Sequence, residues 1–137
     1  MQYPANITKG DQAFIVTFRD IPEAITQGYT YDEAIEMAED ALLTAMDFYF
    51  EDNRPVPPPS QLQEGEVLIA LPVSAATKVM LLNLLLEEHV SQAELAKRMG
   101  IRPQQVTRIV NLEHTTKIDT VEQAFKALGK KLSITAM

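Results

Sequence analysis

The stretch Ser91-Gln92-Ala93-Glu94-Leu95-Ala96-Lys97-Arg98-Met99-Gly100-Ile101-Arg102-Pro103-Gln104-Gln105-Val106-Thr107-Arg108-Ile109-Val110-Asn111 leaves its backbone little freedom. Ser91 followed three residues later by Glu94 marks a helix start, because the hydroxyl can accept an early N–H and the carboxylate can reach back. Leu95, Ala96 and Met99 then share one face, and Gly100 ends the helix by entering the left-handed region without steric cost. Ile101 plugs the corner. Pro103 stands where a second helix opens, a position at which its missing N–H has no intrahelical role. Val106, Ile109 and Val110 form the buried side of that helix, and the small Ala96 lets the two helices approach closely.

Two short helices joined across a glycine turn, the second presenting polar side chains outward, describe a helix-turn-helix. A plain helical hairpin in a bundle is the competing reading. It has to account for Gln92, Ala96, Gly100, Ile101, Val106 and Ile109 all standing at compatible spacings. The outward face of the second helix offers Gln104, Gln105, Thr107 and Arg108, side-chain types that read bases: arginine pairs with guanine, glutamine with adenine, and the threonine methyl can meet that of thymine. Lys97, Arg98, Arg102 and Lys117 are placed to meet phosphates, with Ser91 and Gln92 at a helix N-terminus. Upstream, Ser74 is expected to cap an apolar helix running to about Glu88 that must be buried on most sides. Downstream, Asp119-Thr120 can cap a closing helix through Val121, Ala124, Phe125, Ala127 and Leu128, ended by Gly129. The tail Leu132-Ser133-Ile134-Thr135 alternates as a short pairing strand would.

Net charge taken as a whole opposes nucleic-acid binding: the 137 residues carry 12 Lys+Arg against 19 Asp+Glu, a balance of −7. Divided at Pro72, the picture changes. Residues 1–72 hold three basic and thirteen acidic groups, a balance of −10; residues 73–137 hold nine and six, a balance of +3. The two portions are read as separate domains, 1–72 and 73–137, of an α+β chain whose second domain is all-α. Without cysteine there is no disulfide framework and no thiolate metal site. The longest apolar run, Val79 to Leu86, is far short of the roughly 20 residues of a membrane helix. The first residues lack a basic segment followed by an apolar one, so a cytoplasmic protein without a membrane partner is expected.

In the acidic portion, Gln2 to Thr8 and Ala13 to Phe18 flank turn chemistry at Lys9-Gly10-Asp11-Gln12 and read as a hairpin. A break at Asp20-Ile21-Pro22 and a short stretch at Ile25-Thr26-Gln27 lead to Gly28. Thr30 then caps a helix, with Glu33 in the reciprocal position, and the pattern runs to about Glu51. Ile35, Ala38, Leu42, Ala45 and Tyr49 form its inward stripe. Asp32, Glu33, Glu36, Glu39, Asp40, Asp47 and Glu51 fall in another arc of about 120°. This is either a solvated face or a docking surface for a basic partner. Glu33, Glu36, Glu39, Asp40, Asp47 and Phe50 are the candidates for such contact, with Leu43 beside them, since like charges at these spacings cost stability unless something offsets them. Arg54-Pro55-Val56-Pro57-Pro58-Pro59-Ser60 is a linker or a surface loop. The loop is favoured because Glu66 to Leu71 follows as a buried strand that Pro72 stops.

A magnesium nuclease built from Asp11, Asp20 and Asp47 is disfavoured, because Asp11 and Asp20 stand where turns use aspartate for local hydrogen bonds. His89 and His114 have no partner at catalytic or metal-binding spacing and read as structural. No catalytic residue, metal or cofactor is expected.

Segment 91–111 resembles the helix-turn-helix of the Xre/Cro-type phage repressors. The chain order, from Tyr3-Pro4-Ala5 through Phe18-Arg19-Asp20-Ile21-Pro22-Glu23-Ala24, Gly28, Thr30-Tyr31-Asp32-Glu33-Ala34 and Ala41-Leu42 to Phe48-Tyr49-Phe50-Glu51-Asp52, resembles the HicB antitoxins of bacterial HicAB toxin–antitoxin systems. The resemblance covers essentially the whole chain. It implies a partial RNase H-like first domain, a sheet plus a helix without established nuclease activity, that blocks a small basic HicA toxin, an mRNA-cleaving ribonuclease. It further implies a second domain that binds double-stranded operator DNA of its own operon as a homodimer or higher even-numbered oligomer. In the phage repressors the residue opening the recognition helix is often a base-reading amide; here it is Pro103. Gln104 and Arg108 match base-facing positions there. A stand-alone repressor whose first domain senses a ligand or oligomerises is the alternative.

Overall fold

The computed structural model describes residues 1–137. The chain divides into two compact units, one of Met1–Asp52 with Val56–Val73, the other of Ser74–Met137 with Asn53–Pro55. Architecture is mixed α+β, as the sequence predicts: a four-stranded sheet with one long helix, then a helical unit.

The first unit contains β1 (Gln2–Lys9), β2 (Phe14–Phe18), β3 (Ile25–Gly28), α1 (Tyr31–Glu51) and β4 (Glu66–Ala70). The sheet order is β3-β2-β1-β4 and every pairing is antiparallel. Register places Tyr3 opposite Ile69, Ala5 opposite Phe18 and Val67, and Ile7 opposite Val16. These residues share a face because side chains alternate along a strand. Helix α1 packs against β2, β3 and β4.

Thr30 caps α1 as expected, its Oγ1 accepting from Glu33 N–H at 3.1 Å, whereas the Glu33 carboxylate takes the N–H of Tyr29 at 3.3 Å rather than that of Thr30. The buried stripe is Ala34, Ala38, Leu42, Ala45, Met46 and Tyr49. Ile35, read as central to it, is only half-buried: the sheet meets the helix slightly to one side of the predicted stripe. Strand β4 also differs from its expectation. It lies at the sheet edge, where Ile69 is buried and Leu68 is exposed, so it alternates instead of being buried throughout.

The proline-rich segment is a loop held to the sheet, and not a free linker. Tyr3 Oη donates to the Pro57 carbonyl at 2.7 Å, Asp20 accepts the Ser60 N–H at 2.8 Å, and Arg19 donates to the Gln61 carbonyl at 3.0 Å while pairing with Glu66 at 2.8 Å. Prolines lock the path of the loop, and neighbouring polar groups tie it down.

The second unit contains α2 (Val73–Glu87), α3 (Gln92–Met99), α4 (Pro103–Ile109) and α5 (Ile118–Ala127). Its core joins Leu81 and Leu85 of α2, Leu95 and Ala96 of α3, Val106 and Ile109 of α4, and Val121, Ala124 and Phe125 of α5. Leu81, Leu95 and Val106 are fully buried, each contributing about 1.5–3 kcal/mol. Ser74 lies inside α2 and so does not cap it; its carbonyl accepts from the Thr77 hydroxyl instead. Helix α5 begins before Asp119-Thr120, with Lys117 as its N-cap residue. The tail forms no strand within the chain: Leu132 folds back onto the helical core, while Ile134 stays exposed.

Candidate nucleic-acid interface

Helices α3 and α4 are set by the local chemistry expected of them. Ser91 Oγ accepts from Glu94 N–H at 3.0 Å, and Gly100 takes φ 68° and ψ 34°, so that Ile101 N–H turns back to the Ala96 carbonyl at 3.0 Å. The Glu94 carboxylate does not complete a capping box; it pairs with Arg98 at 3.1 Å, one turn along. Pro103 is the first residue of α4, and Val106 and Ile109 bury its inner side.

The outward residues are not equivalent. Gln104 and Arg108 are exposed, stand one turn apart and make no side-chain bond within the chain. Gln105 has a local duty, since its Oε1 accepts the Arg102 N–H at 3.0 Å and caps α4, leaving its NH2 free to point out. The Thr107 hydroxyl donates to the Pro103 carbonyl at 3.2 Å and lies 3.4 Å from Gln92 Oε1. Lys97, Arg102 and Lys117 are exposed. Arg98 is exposed but has its carboxylate partner, an exchangeable one because surface pairs are worth about 0–1 kcal/mol.

One decisive residue escapes the sequence reading. Lys78 on α2 is 3% exposed, and its Nζ donates to the carbonyls of Arg108 (3.3 Å), Asn111 (2.7 Å) and His114 (2.5 Å) and to Thr116 Oγ1 (2.9 Å). These acceptors are the C-terminal end of α4 and the loop that follows it. A cation there meets the negative end of the helix dipole, while burial pushes the Lys78 pKa below its usual value. The available signal was a lysine inside an apolar run.

On the first unit, Glu36, Glu39 and Asp40 are exposed and line, with Leu43, Ala70, Leu71 and Pro72, an open groove of about 490 Å3. Glu33 is engaged in the cap of α1, and Asp47 and Phe50 are half-buried. Phe48, which the reading passed over, is 50% exposed. Asp20 anchors the proline-rich loop and Asp11 lies in the β1–β2 turn. No three His, Cys, Asp or Glu side chains gather where they could hold a metal ion. No helix is long and apolar enough to cross a membrane.

A helix-turn-helix whose second helix buries one face and leaves amide and guanidinium groups on the other defines a DNA-binding protein. Residues 81–134 match the helix-turn-helix family, and residues 2–80 match the family described as HicB_like antitoxin of bacterial toxin-antitoxin system. The chain is 53% identical over 135 residues to Antitoxin HicB of Escherichia coli (strain K12), covering 98% of each protein. To Antitoxin HicB 2 of Photorhabdus laumondii it is 50% identical over 137 residues, covering 100% of this chain and 97% of that one. To Antitoxin HicB of Pseudomonas fluorescens (strain Pf0-1) it is 42% identical over 114 residues, 82% of this chain and 78% of that one. The chain belongs to the HicB-like antitoxin family: it is an antitoxin carrying a DNA-binding helix-turn-helix, and not an enzyme.

Proposed function

We propose that residues 1–72 neutralise a small basic HicA-type ribonuclease toxin in the cytoplasm, and that residues 73–137 repress the chain's own operon by binding operator DNA as a homodimer or higher even-numbered oligomer. The observation that carries the DNA reading is the exposed, unbonded pair Gln104 and Arg108 on a helix whose opposite face is locked into a core. Gln104 and Arg108 read bases, with the Gln105 NH2 and the Thr107 methyl beside them. Ser91, Gln92, Lys97, Arg98, Arg102 and Lys117 hold phosphates, Arg98 by exchanging its Glu94 partner for one. The toxin reading is supported by the groove beside Glu36, Glu39 and Asp40, where carboxylates border apolar surface. A basic protein is steered to such a face by charge and held by apolar contact. Glu33, Asp47 and Phe50 extend that face.

Binding measurements on operator and random DNA test the first part. Arg108→Ala is expected to weaken discrimination at one base pair by about 1–3 kcal/mol; equal weakening on both DNAs overturns the base-reading role. For the second part, Glu36→Lys, Glu39→Lys and Asp40→Lys together are expected to slow capture of purified toxin and flatten its salt dependence, while operator affinity stays unchanged. Undiminished capture would remove the acidic face from the mechanism.

A further inference from the structure

Lys78 is a charge set into a mostly apolar helix. Its neighbours Val79, Leu81 and Leu82 on α2 are buried, and so is Lys78 itself. An apolar side chain would fill the same space without giving up the hydration of a charge, which is costly unless polar partners replace the water. Here the partners are the chain that leaves the recognition helix: Nζ donates to the carbonyls of Arg108, Asn111 and His114 and to Thr116 Oγ1. One atom on α2 thus holds four positions, from the last turn of α4 to the residue before Lys117, the N-cap of α5.

Helix α4 has little else to fix its end. It has seven residues, too few for a helix to be stable by itself. Val110 follows it at φ −91° and ψ 6°, and no glycine stands between Gly100 and Gly129, so the left-handed closure that ends α3 is missing here. Val106 and Ile109 hold the inner side by apolar contact, which is non-directional. The last carbonyls of a helix have no partner within it; that of Arg108 takes the Asn111 N–H at 3.2 Å and the Lys78 ammonium. The exposed Arg108 side chain leaves from this same tied residue. We infer that Lys78 is a positioning residue for base recognition: held from α2, the Arg108 backbone fixes the point from which the guanidinium reaches a base edge. Bidentate pairing needs such a fixed point, since two N–H groups must align with two acceptors at once. This role rests on the base reading proposed for Arg108.

The test compares the full chain's affinity for a duplex from immediately upstream of its own reading frame with that for a duplex of the same composition in shuffled order, at a temperature where circular dichroism shows each variant folded. Arg108→Ala is expected to lower the ratio of the two affinities about tenfold, the discrimination of a single bidentate contact. Lys78→Met is expected to lower it by a similar factor and, when the two are combined, to leave Arg108→Ala without further effect, because a misplaced guanidinium has no discrimination left to lose. A lysine serving stability alone would change the folded fraction and not the ratio. The chain has no cysteine, so Lys78→Cys can be aminoethylated at that position alone, which restores an ammonium at the same reach. Once refolded, this protein is expected to regain the wild-type ratio, whereas carbamidomethylation, which adds no charge, is expected to leave it low. If Lys78→Met does not fold, Thr116→Val, which removes one acceptor, is expected to lower the ratio by a smaller factor, and Thr116→Ser, which keeps it, is expected to match wild type. A folded Lys78→Met with the wild-type ratio, substitutions at Lys78 and Arg108 that simply add, or equal ratios for Thr116→Val and Thr116→Ser would each overturn the role of Lys78 and leave the base reading standing. A wild type that prefers neither duplex, or an Arg108→Ala protein with an unchanged ratio, would overturn the base reading itself and this role with it.

Discussion

Lys78 is the most demanding single placement in the helical unit. An ammonium that is 3% exposed survives there because three carbonyls and a hydroxyl surround it. Removing it strands those acceptors, and an unsatisfied buried polar group costs about 1–3 kcal/mol. Lys78→Met is therefore expected to lower stability by about 2–3 kcal/mol in urea unfolding, despite adding apolar surface. Tyr3 is the counterpart in the sheet unit. Burial first, then the Asp20 carboxylate and Tyr49, push its pKa from 10.0 to about 12. Because the folded value is raised, the native state holds this proton more tightly than the unfolded chain. The stabilisation is complete below pH 10 and is lost as pH rises through about 12. The absorbance difference between wild type and Tyr3→Phe is expected to show a phenolate appearing near pH 12, and the variant is expected to lack this part of the alkaline loss of stability. Neither residue announces its role in the chain, since the acceptor of Tyr3 is 54 residues away and those of Lys78 are 30 to 38 away.

Helix ends and glycines are where local chemistry and packing can be separated. Gly100 has φ 68° and, its chain neighbours aside, no atom within 4 Å of an added Cβ, so Gly100→Ala carries only the left-handed penalty, about 1–2 kcal/mol. Gly28 presents the opposite case. A Cβ there would stand 2.4 Å from Ala34 N and 2.7 Å from Ala34 Cα, backbone atoms of the first turn of α1. Gly28→Ala must push helix and strand apart, with an expected loss of about 3 kcal/mol, the upper range for overpacking. Thermal unfolding of both variants checks the order, and a Gly28→Ala protein as stable as Gly100→Ala would refute the close approach. Gly100 was legible because a helix stop is written within a few residues. The reason for Gly28 was not, since it depends on where α1 comes to lie. The same distinction explains the half-burial of Ile35 and the exposure of Leu68: periodicity gives a face, but the neighbouring element selects which residues of it are covered.

For the whole chain, the net charge of −7 is an average of −10 over residues 1–72 and +3 over residues 73–137. Charge acts on diffusing partners over about 8–10 Å at ordinary salt, so its distribution matters and its sum does not. An acidic portion suits a basic protein, and a mildly basic portion suits a duplex. The charge-reversal experiment on Glu36, Glu39 and Asp40 belongs here, because it asks whether toxin capture can be lost while operator binding is kept.

Order and type of the elements from β1 to α5, the turn at Gly100, the entry of Pro103, the outward set around Arg108 and the charge partition were all written in the amino acids themselves, whereas the strand expected of the tail did not form. Capping, glycine and proline chemistry and hydrophobic periodicity act within one or two turns of chain, and charge needs only to be counted. The acceptors of Lys78, the tie between Tyr3 and the proline-rich loop and the tight seat of Gly28 came with the folded chain. Each depends on groups distant in sequence becoming neighbours, and no local preference encodes that proximity.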